Sequence, residues 1–377
     1  MRNLWLLSLL ACGRFGVTDE VAPDSDGIVD AEPIDGAEAD DAEADAAMAV
    51  DAAPELALAR GIVTNVRMLP SCPQGAPAGA TCRQVTVANC PGIASEPLDA
   101  IVAVRPETGA RRGTVVHFSG GGGTGFQGGG SQQYEAAGLR AVFVAWLTDW
   151  EQTQSAGIRT AGCRPATILQ WVFSEPTLHG GSRSLAFCGE GFSGGSGQLG
   201  YALAHYGMAG ALDYVNELSG PPFARIDLGC DGDAPPTTTV CGATVTMKLP
   251  QSVTGWENIR PPLTCGSTMV PPAELARWRT DSIAVGGVYS YPRTQVQFFA
   301  CTFQATAVTG QGKLYFDLIS QAAGGDPNRA QYHCYTQADG CQHEALGTGN
   351  QDAAAALIAN CIPRHQAAVA PDSPAPR

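Results

Sequence analysis

The sequence predicts an α/β fold on a mainly parallel sheet, and three observations carry that reading. Short apolar runs bounded by turn residues recur from about residue 84 to residue 335. The middle runs are continuous and rich in β-branched and aromatic residues, as expected of strands buried on both faces. Helical patterns lie between several of them, and alternation of this kind calls for crossovers between parallel strands.

In order, the strand runs are Gln84–Val87, Ala100–Val104, Thr114–Phe118, Ala141–Trp146, Ser184–Cys188, Leu212–Leu218, Val296–Ala300 and Tyr332–Tyr335. Helical patterns cover Ala166–Phe173, Gln198–Tyr206, Gly312–Ala322 and Asp352–Cys361. Between about residues 221 and 291 the alternation stops. That stretch is rich in Pro, Thr and Gly and holds Cys230, Cys241 and Cys265. It is long for a structureless loop, so it reads as a disulfide-pinned insertion over one end of the sheet. Residues 61–366 form the domain in this reading, and 367–377 are a loose Pro/Ala-rich tail. No internal repeat is present.

Ahead of the domain, Arg2 and the short apolar run Leu4–Ala11 read as an export signal, too short to span a bilayer as a mature helix. The run closes on Leu9-Leu10-Ala11-Cys12, which resembles a bacterial lipoprotein signal in which Cys12 is lipidated. Residues 13–60 then form an acidic tether. Between Phe15 and Ala59 there are 14 acidic residues and no Lys or Arg, so this segment has too little to bury to offset its ordering entropy. Setting those 14 apart from the 36 acids leaves 22, and setting Arg2 and Arg14 apart from the 22 bases leaves 20. The folded part is nearly neutral and offers a nucleic-acid partner no basic patch.

The cysteines agree with export. Twelve of the 13 remain after Cys12, an even number spread over the whole domain with no C-x-x-C pair, which favours disulfides over zinc. The expected location is a membrane-anchored lipoprotein, periplasmic or at the cell surface.

Gly191-Phe192-Ser193-Gly194-Gly195 lies between the fifth strand run and a helix pattern. Strand, Gly-x-Ser-x-Gly, helix is the context in which a serine becomes a nucleophile. The turn is tight enough to require minimal side chains two residues before and after the serine, and the N–H of the next residue, here Gly194, points at a developing oxyanion. Ser193 alone has glycine at both positions; Gln198 stands two residues after Ser196. A second glycine loop, Ser119–Phe126, follows the third strand run and can present backbone N–H donors to the same oxyanion. Gly120-x-Gly122-x-x-Gly125 with Asp149 further on also fits a dinucleotide fingerprint, although Phe126–Gly130 is a poor start for a helix. Of the six histidines, His343 lies after the last strand and before the closing helix, where a loop would carry it toward Ser193 as general base. His117 and His333 fall inside strand runs and read as packed.

These pieces, in this order, resemble the α/β-hydrolase superfamily over about residues 85–361. The resemblance implies an α/β-hydrolase-type sheet with helices on both faces. It also implies acyl transfer to water, with Ser193 as nucleophile, His343 as base and N–H donors from Gly194 and the Gly121–Gly122 region. The substrate class is a small-molecule or polymer ester, and neither metal nor organic cofactor is implied. The pattern departs at the third triad member. The usual place, after Val296–Ala300, holds Gln304, so the acid is expected after the preceding strand, with Asp227 ahead of Glu217; Asp326 and Asp339 are also near in sequence. The competing reading is a non-catalytic lipoprotein that keeps the scaffold as a binding module, and a peptidase of the same fold is a third. Trp256, Trp278 and Tyr289 are candidates for apolar pocket walls or for the insertion's own core.

Overall fold

The computed structural model describes residues 57–93, 97–126, 131–153, 156–230, 237–249, 270–302, 306–342, 346 and 348–369. In chain order these form β1 (Ile62–Met68), β2 (Thr81–Ala88), β3 (Leu98–Arg105), β4 (Gly113–Phe118), α1 (Ser131–Ala136), β5 (Leu139–Trp146), α2 (Ile158–Ala161), α3 (Cys163–Ser174), β6 (Ala186–Phe192) and α4 (Gly194–Ala204). There follow β7 (Tyr214–Leu218), α5 (Ile226–Cys230), β8 (Thr237–Val240), β9 (Ala243–Thr246), α6 (Pro272–Asp281), β10 (Gln295–Cys301), α7 (Thr306–Ala322), β11 (Ala330–Tyr335) and α8 (Thr348–Val369).

Nine strands make one sheet in the order β1-β2-β3-β5-β4-β6-β7-β10-β11. From β5 to β11 every neighbouring pair is parallel, while β1, β2, β3 and β5 pair antiparallel in succession. All eight strands expected from sequence are present. The ninth, β1, is an edge strand whose side chains are almost all exposed, so no buried face marks it, and a bulge between Val63 and Asn65 breaks its alternation.

The chemistry of the central runs explains the layering. Every residue of β4, β6, β7 and β10 is buried, so both faces of the sheet must be covered. On one face the main core joins the sheet to α3, α4 and α7 through residues such as Ile168, Leu199, Phe298 and Tyr315. On the other, α1 and α8 close a second cluster around Tyr134, Phe143, Tyr214 and Leu357. Truncating Phe298, fully enclosed between Tyr315, Phe316 and Tyr332, removes about 3–5 kcal/mol of stability.

The insertion holds α5, the β8–β9 hairpin and α6. Asp281 at the end of α6 accepts the backbone N–H groups of Ile158 (2.7 Å) and Arg159 (2.9 Å), satisfying two open donors at the start of α2. Cys241 in the hairpin turn is bonded to Cys334 of β11, which pins the insertion to the sheet. Four further disulfides join Cys72–Cys82, Cys90–Cys163, Cys188–Cys361 and Cys301–Cys341, and Cys230 is also disulfide-bonded. Such a disulfide density belongs to a chain matured in an oxidising compartment. Cys301–Cys341 joins the end of β10 to the segment after β11. Among the described residues no helix is long and apolar enough to cross a membrane. Helix α8 runs to Val369, three residues into the stretch read from sequence as a tail.

Candidate active site

Ser193 stands between β6 and α4 with φ 51° and ψ −113°, a backbone conformation that L residues other than glycine rarely hold. Holding it costs roughly 1–3 kcal/mol and requires surroundings that leave no alternative. They are visible. The Ser193 N–H donates to the Leu218 carbonyl at 2.7 Å, and its carbonyl accepts from Gly197 N at 3.1 Å and from the Ser196 hydroxyl at 2.5 Å. A side chain at Gly191 would strike the Gly195 backbone, and one at Gly195 would strike the carbonyl of Phe118. Both glycines of the motif are therefore required by backbone approach. Ser196 is fully buried in the first turn of α4, whereas Ser193 is only half-buried.

The glycine loop after β4 is stitched to this elbow. A Gly194 side chain would collide with the Gly121 carbonyl and would lie 2.9 Å from the Gly121 amide nitrogen. Gly121 and Gly123 have φ of +57° and +76°, which glycine adopts without strain. Three of the loop's carbonyls are engaged in hydrogen bonds. Gly120 accepts from Gly123 N (3.1 Å), Gly122 from Trp150 N (3.0 Å) and Gly123 from Trp146 N (2.9 Å), while the Trp146 indole N–H donates to Gln198 Oε1 at 2.8 Å. A Gly122 side chain would meet Asp149, which is pressed against the loop. Among the described residues the helix after the loop is α1, which is short.

Five of the six histidines are described; four are hydrogen-bonded to other groups, and the fifth, His205, is buried beside Tyr201. His179 bonds Thr114 Oγ1 (3.2 Å) and the Ser182 carbonyl (3.1 Å), and burial pushes its pKa down to about 4. His205 follows α4 at the end remote from Ser193, and burial pushes it to about 3. His365 Nδ1 lies 3.0 Å from Asp213 Oδ2, before β7 begins. His333, on β11, stacks on Phe299 at 4.6 Å and bonds Gln297. His117 is enclosed within β4. His343 and Gln304 lie outside the described residues.

Of the acids, Asp227 is in the first turn of α5 rather than in the loop expected from sequence, and both its oxygens meet the Arg225 guanidinium at 2.8 and 2.7 Å. Glu217 is fully enclosed in β7, and burial pushes its carboxyl well above the usual range. Asp326 precedes β11, at the sheet edge opposite Ser193. Asp339 closes a capping box with Thr336 in the turn after β11. Trp278 is wholly buried in the main core and Tyr289 donates to the Ile283 carbonyl at 2.9 Å, so these two build the insertion's packing; Trp256 lies outside the described residues. No group of three or more metal-ligating side chains occurs among the described residues.

No protein-family model matches this sequence, and no curated protein matches it. Solved structures similar to it include an esterase from the hyperthermophilic archaeon Pyrobaculum calidifontis, at 15% identity over 77% of this chain and 86% of that one, TM-score 0.41. A brefeldin A esterase, a bacterial homologue of human hormone-sensitive lipase, is 15% identical over 79% of this chain and 81% of its own, TM-score 0.43. Carboxyl esterase 2 from the fungus Tuber melanosporum is 13% identical over 80% and 93%, TM-score 0.43. Identities this low leave the chemistry of this chain to its own residues.

Proposed function

We propose that this chain is a serine hydrolase acting on carboxylic esters, exported and tethered to a membrane through a lipid on Cys12. One observation carries the enzymatic reading: Ser193 is held in a strained conformation at a strand–helix junction, with the Gly121 backbone packed directly against Gly194. Strain of this kind needs a use, and exposing the hydroxyl beside two sources of backbone N–H is one.

In this reading Ser193 Oγ attacks the ester carbonyl carbon while His343 takes its proton. The N–H groups of Gly194 and the Gly121–Gly122 segment hold the negative charge that forms on the carbonyl oxygen. Collapse expels the alcohol, which takes the proton back from His343, and water then releases the acyl group by the same steps. That four of the other histidines are hydrogen-bonded to other groups and His205 is buried at the far end of α4 supports His343 as the base. For the third member Asp227 is the carboxylate to test, because burial in β7 disfavours the charged form of Glu217 that would be set against an imidazolium.

The test is turnover of an activated short-chain ester, with Ser193→Ala as control and an activated amide beside it. Ester turnover that vanishes in the variant supports the proposal. Faster amide turnover would favour a peptidase, and no turnover of either would favour the non-catalytic scaffold. For the anchor, Cys12→Ala should release the protein from the membrane fraction; a wild-type chain recovered soluble would contradict lipidation.

A further inference from the structure

A buried polar knot lies three residues below Ser193. Glu190 of β6 stands in register with His117 of β4 on one side and Asn216 of β7 on the other. Its Oε1 meets His117 Nδ1 at 3.2 Å, and its Oε2 accepts from the Tyr134 hydroxyl of α1 at 3.0 Å and from Asn216 Nδ2 at 3.1 Å. Asn216 Nδ2 also donates to the Ala353 carbonyl of α8 at 2.8 Å. The His117 ring stacks on Phe143 with centroids 4.5 Å apart, which fixes its plane. All four side chains of the knot are buried. Burial alone would raise the Glu190 carboxyl, yet the bonds from His117, Asn216 and Tyr134 outweigh it and hold the pKa below the usual value.

An ionised carboxylate at this depth is a poor way to gain stability, since apolar residues of similar volume often serve as well. What it adds is direction, because each donor comes from a different element. Two residues after His117 the glycine loop begins. Three residues after Glu190 comes Ser193, and two residues after Asn216 is Leu218, whose carbonyl holds the Ser193 N–H. The knot therefore ties together the three strands whose ends must meet, at a point just before they do.

From this geometry we infer that Glu190 is a positioning residue: with His117 it sets the glycine loop on β4 against the Ser193–Gly194 elbow on β6, and so fixes the oxyanion donors. The inference rests on the reading of Ser193 as nucleophile. The Gly121–Gly194 contact admits no side chain, so a slip of β4 along β6 moves the donors relative to the reacting carbonyl. The rate is sensitive to displacements of this size, whereas the binding of a small ester is much less so.

The experiment uses the full chain and three variants: Glu190→Gln, His117→Phe, and Tyr206→Phe. The last removes a buried hydrogen bond to the Arg159 carbonyl (2.8 Å), far from the knot. The readouts are kcat and KM on a short-chain ester, the rate of fluorophosphonate labelling, and the thermal melt. Glu190→Gln and His117→Phe should each lower kcat and labelling on the order of ten- to hundredfold with KM held within about twofold, and their double variant should be no worse than the worse single. Tyr206→Phe should keep its kcat. Should Glu190→Gln fail to fold, His117→Phe, which leaves the carboxylate its other two donors, decides alone. Unchanged kcat, a loss no larger than the unfolded fraction at the assay temperature, or an equal loss in Tyr206→Phe would overturn the inference. A wild-type chain that neither turns over ester nor labels would instead overturn the reading of Ser193.

Discussion

The two edges of the central sheet differ: one satisfies buried polar side chains, the other forces its backbone. At the amino edge Asp213 accepts from the Phe187 N–H at 2.9 Å and lies 3.0 Å from His365 Nδ1 and 2.6 Å from an Arg293 nitrogen. A histidine–carboxylate pair is thus present, but in backbone that shows no strained serine among the described residues. At the carboxyl edge, about 20 Å away along the seven residues of β6, the backbone itself is forced: Ser193 has φ 51°, and three glycines are required by close approach. A histidine beside an aspartate is an ordinary way of satisfying buried polar groups. The strained elbow, with the Gly121 backbone packed against Gly194, is the feature on which the proposed site rests.

The comparison breaks most sharply under substitution at the two edges. Ser193→Ala should lower ester turnover by at least about a thousandfold. His365→Ala should leave turnover in place and lower the Tm by several degrees, because it dismantles a buried pair. A turnover loss in His365→Ala rather than in Ser193→Ala would reverse the assignment of edges.

The next effect in size tests the backbone contact. Gly194→Ala adds one methyl group where the Gly121 backbone already lies, so the donor loop must move. The expected result is a fall in kcat of about 10²–10³ with a modest change in KM. A kcat close to wild type would mean that the loop contributes nothing to the oxyanion.

The smallest effects are in stability, and the two regions should have opposite pH slopes. His179 and His205 are buried neutral, with folded pKa values of about 4 and about 3 against an ordinary 6.5. The unfolded chain binds protons there first, so stability is lost as pH falls from 6.5 toward those values, by about 1.4 kcal/mol per pH unit for each group. Glu217 acts the other way. Its raised folded pKa means that the unfolded chain ionises first, and stability is lost as pH rises above the ordinary 4.5. Melts recorded against pH should show His205→Phe flattening the acid limb, and Glu217→Gln raising the Tm near pH 7. No gain from Glu217→Gln would show that this carboxyl is not a neutral buried group.

The strands of the sheet were legible because most are buried on both faces, which writes continuous apolar runs into the chain. Edge strand β1 was not, since Ile62, Val66 and Met68 face water. The β8–β9 hairpin hid in a Thr-rich stretch whose turn, Cys241-Gly242 with φ 53° and 80°, lacks the usual Asn-Gly signal. Helix α6 carried a signal that passed unused, a proline at its first position and Glu274 in its first turn. The tight strand–helix turn at Ser193 and its glycines could be read because it is set by local sequence. The pairing of Asp227 with Arg225, two residues earlier at the start of α5, was not legible, because it depends on the local helix start. Glu190 gave no sign, since its bond to His117 spans 73 residues and exists only once β4 and β6 are neighbours.

The central claim is that Ser193 is an activated nucleophile, and fluorophosphonate labelling followed by peptide mapping tests it without assuming a substrate. The account predicts a single adduct on the peptide containing Ser193, lost in Ser193→Ala and retained in Ser196→Ala. An adduct that persists in Ser193→Ala, or a folded wild-type chain that takes none, would contradict it.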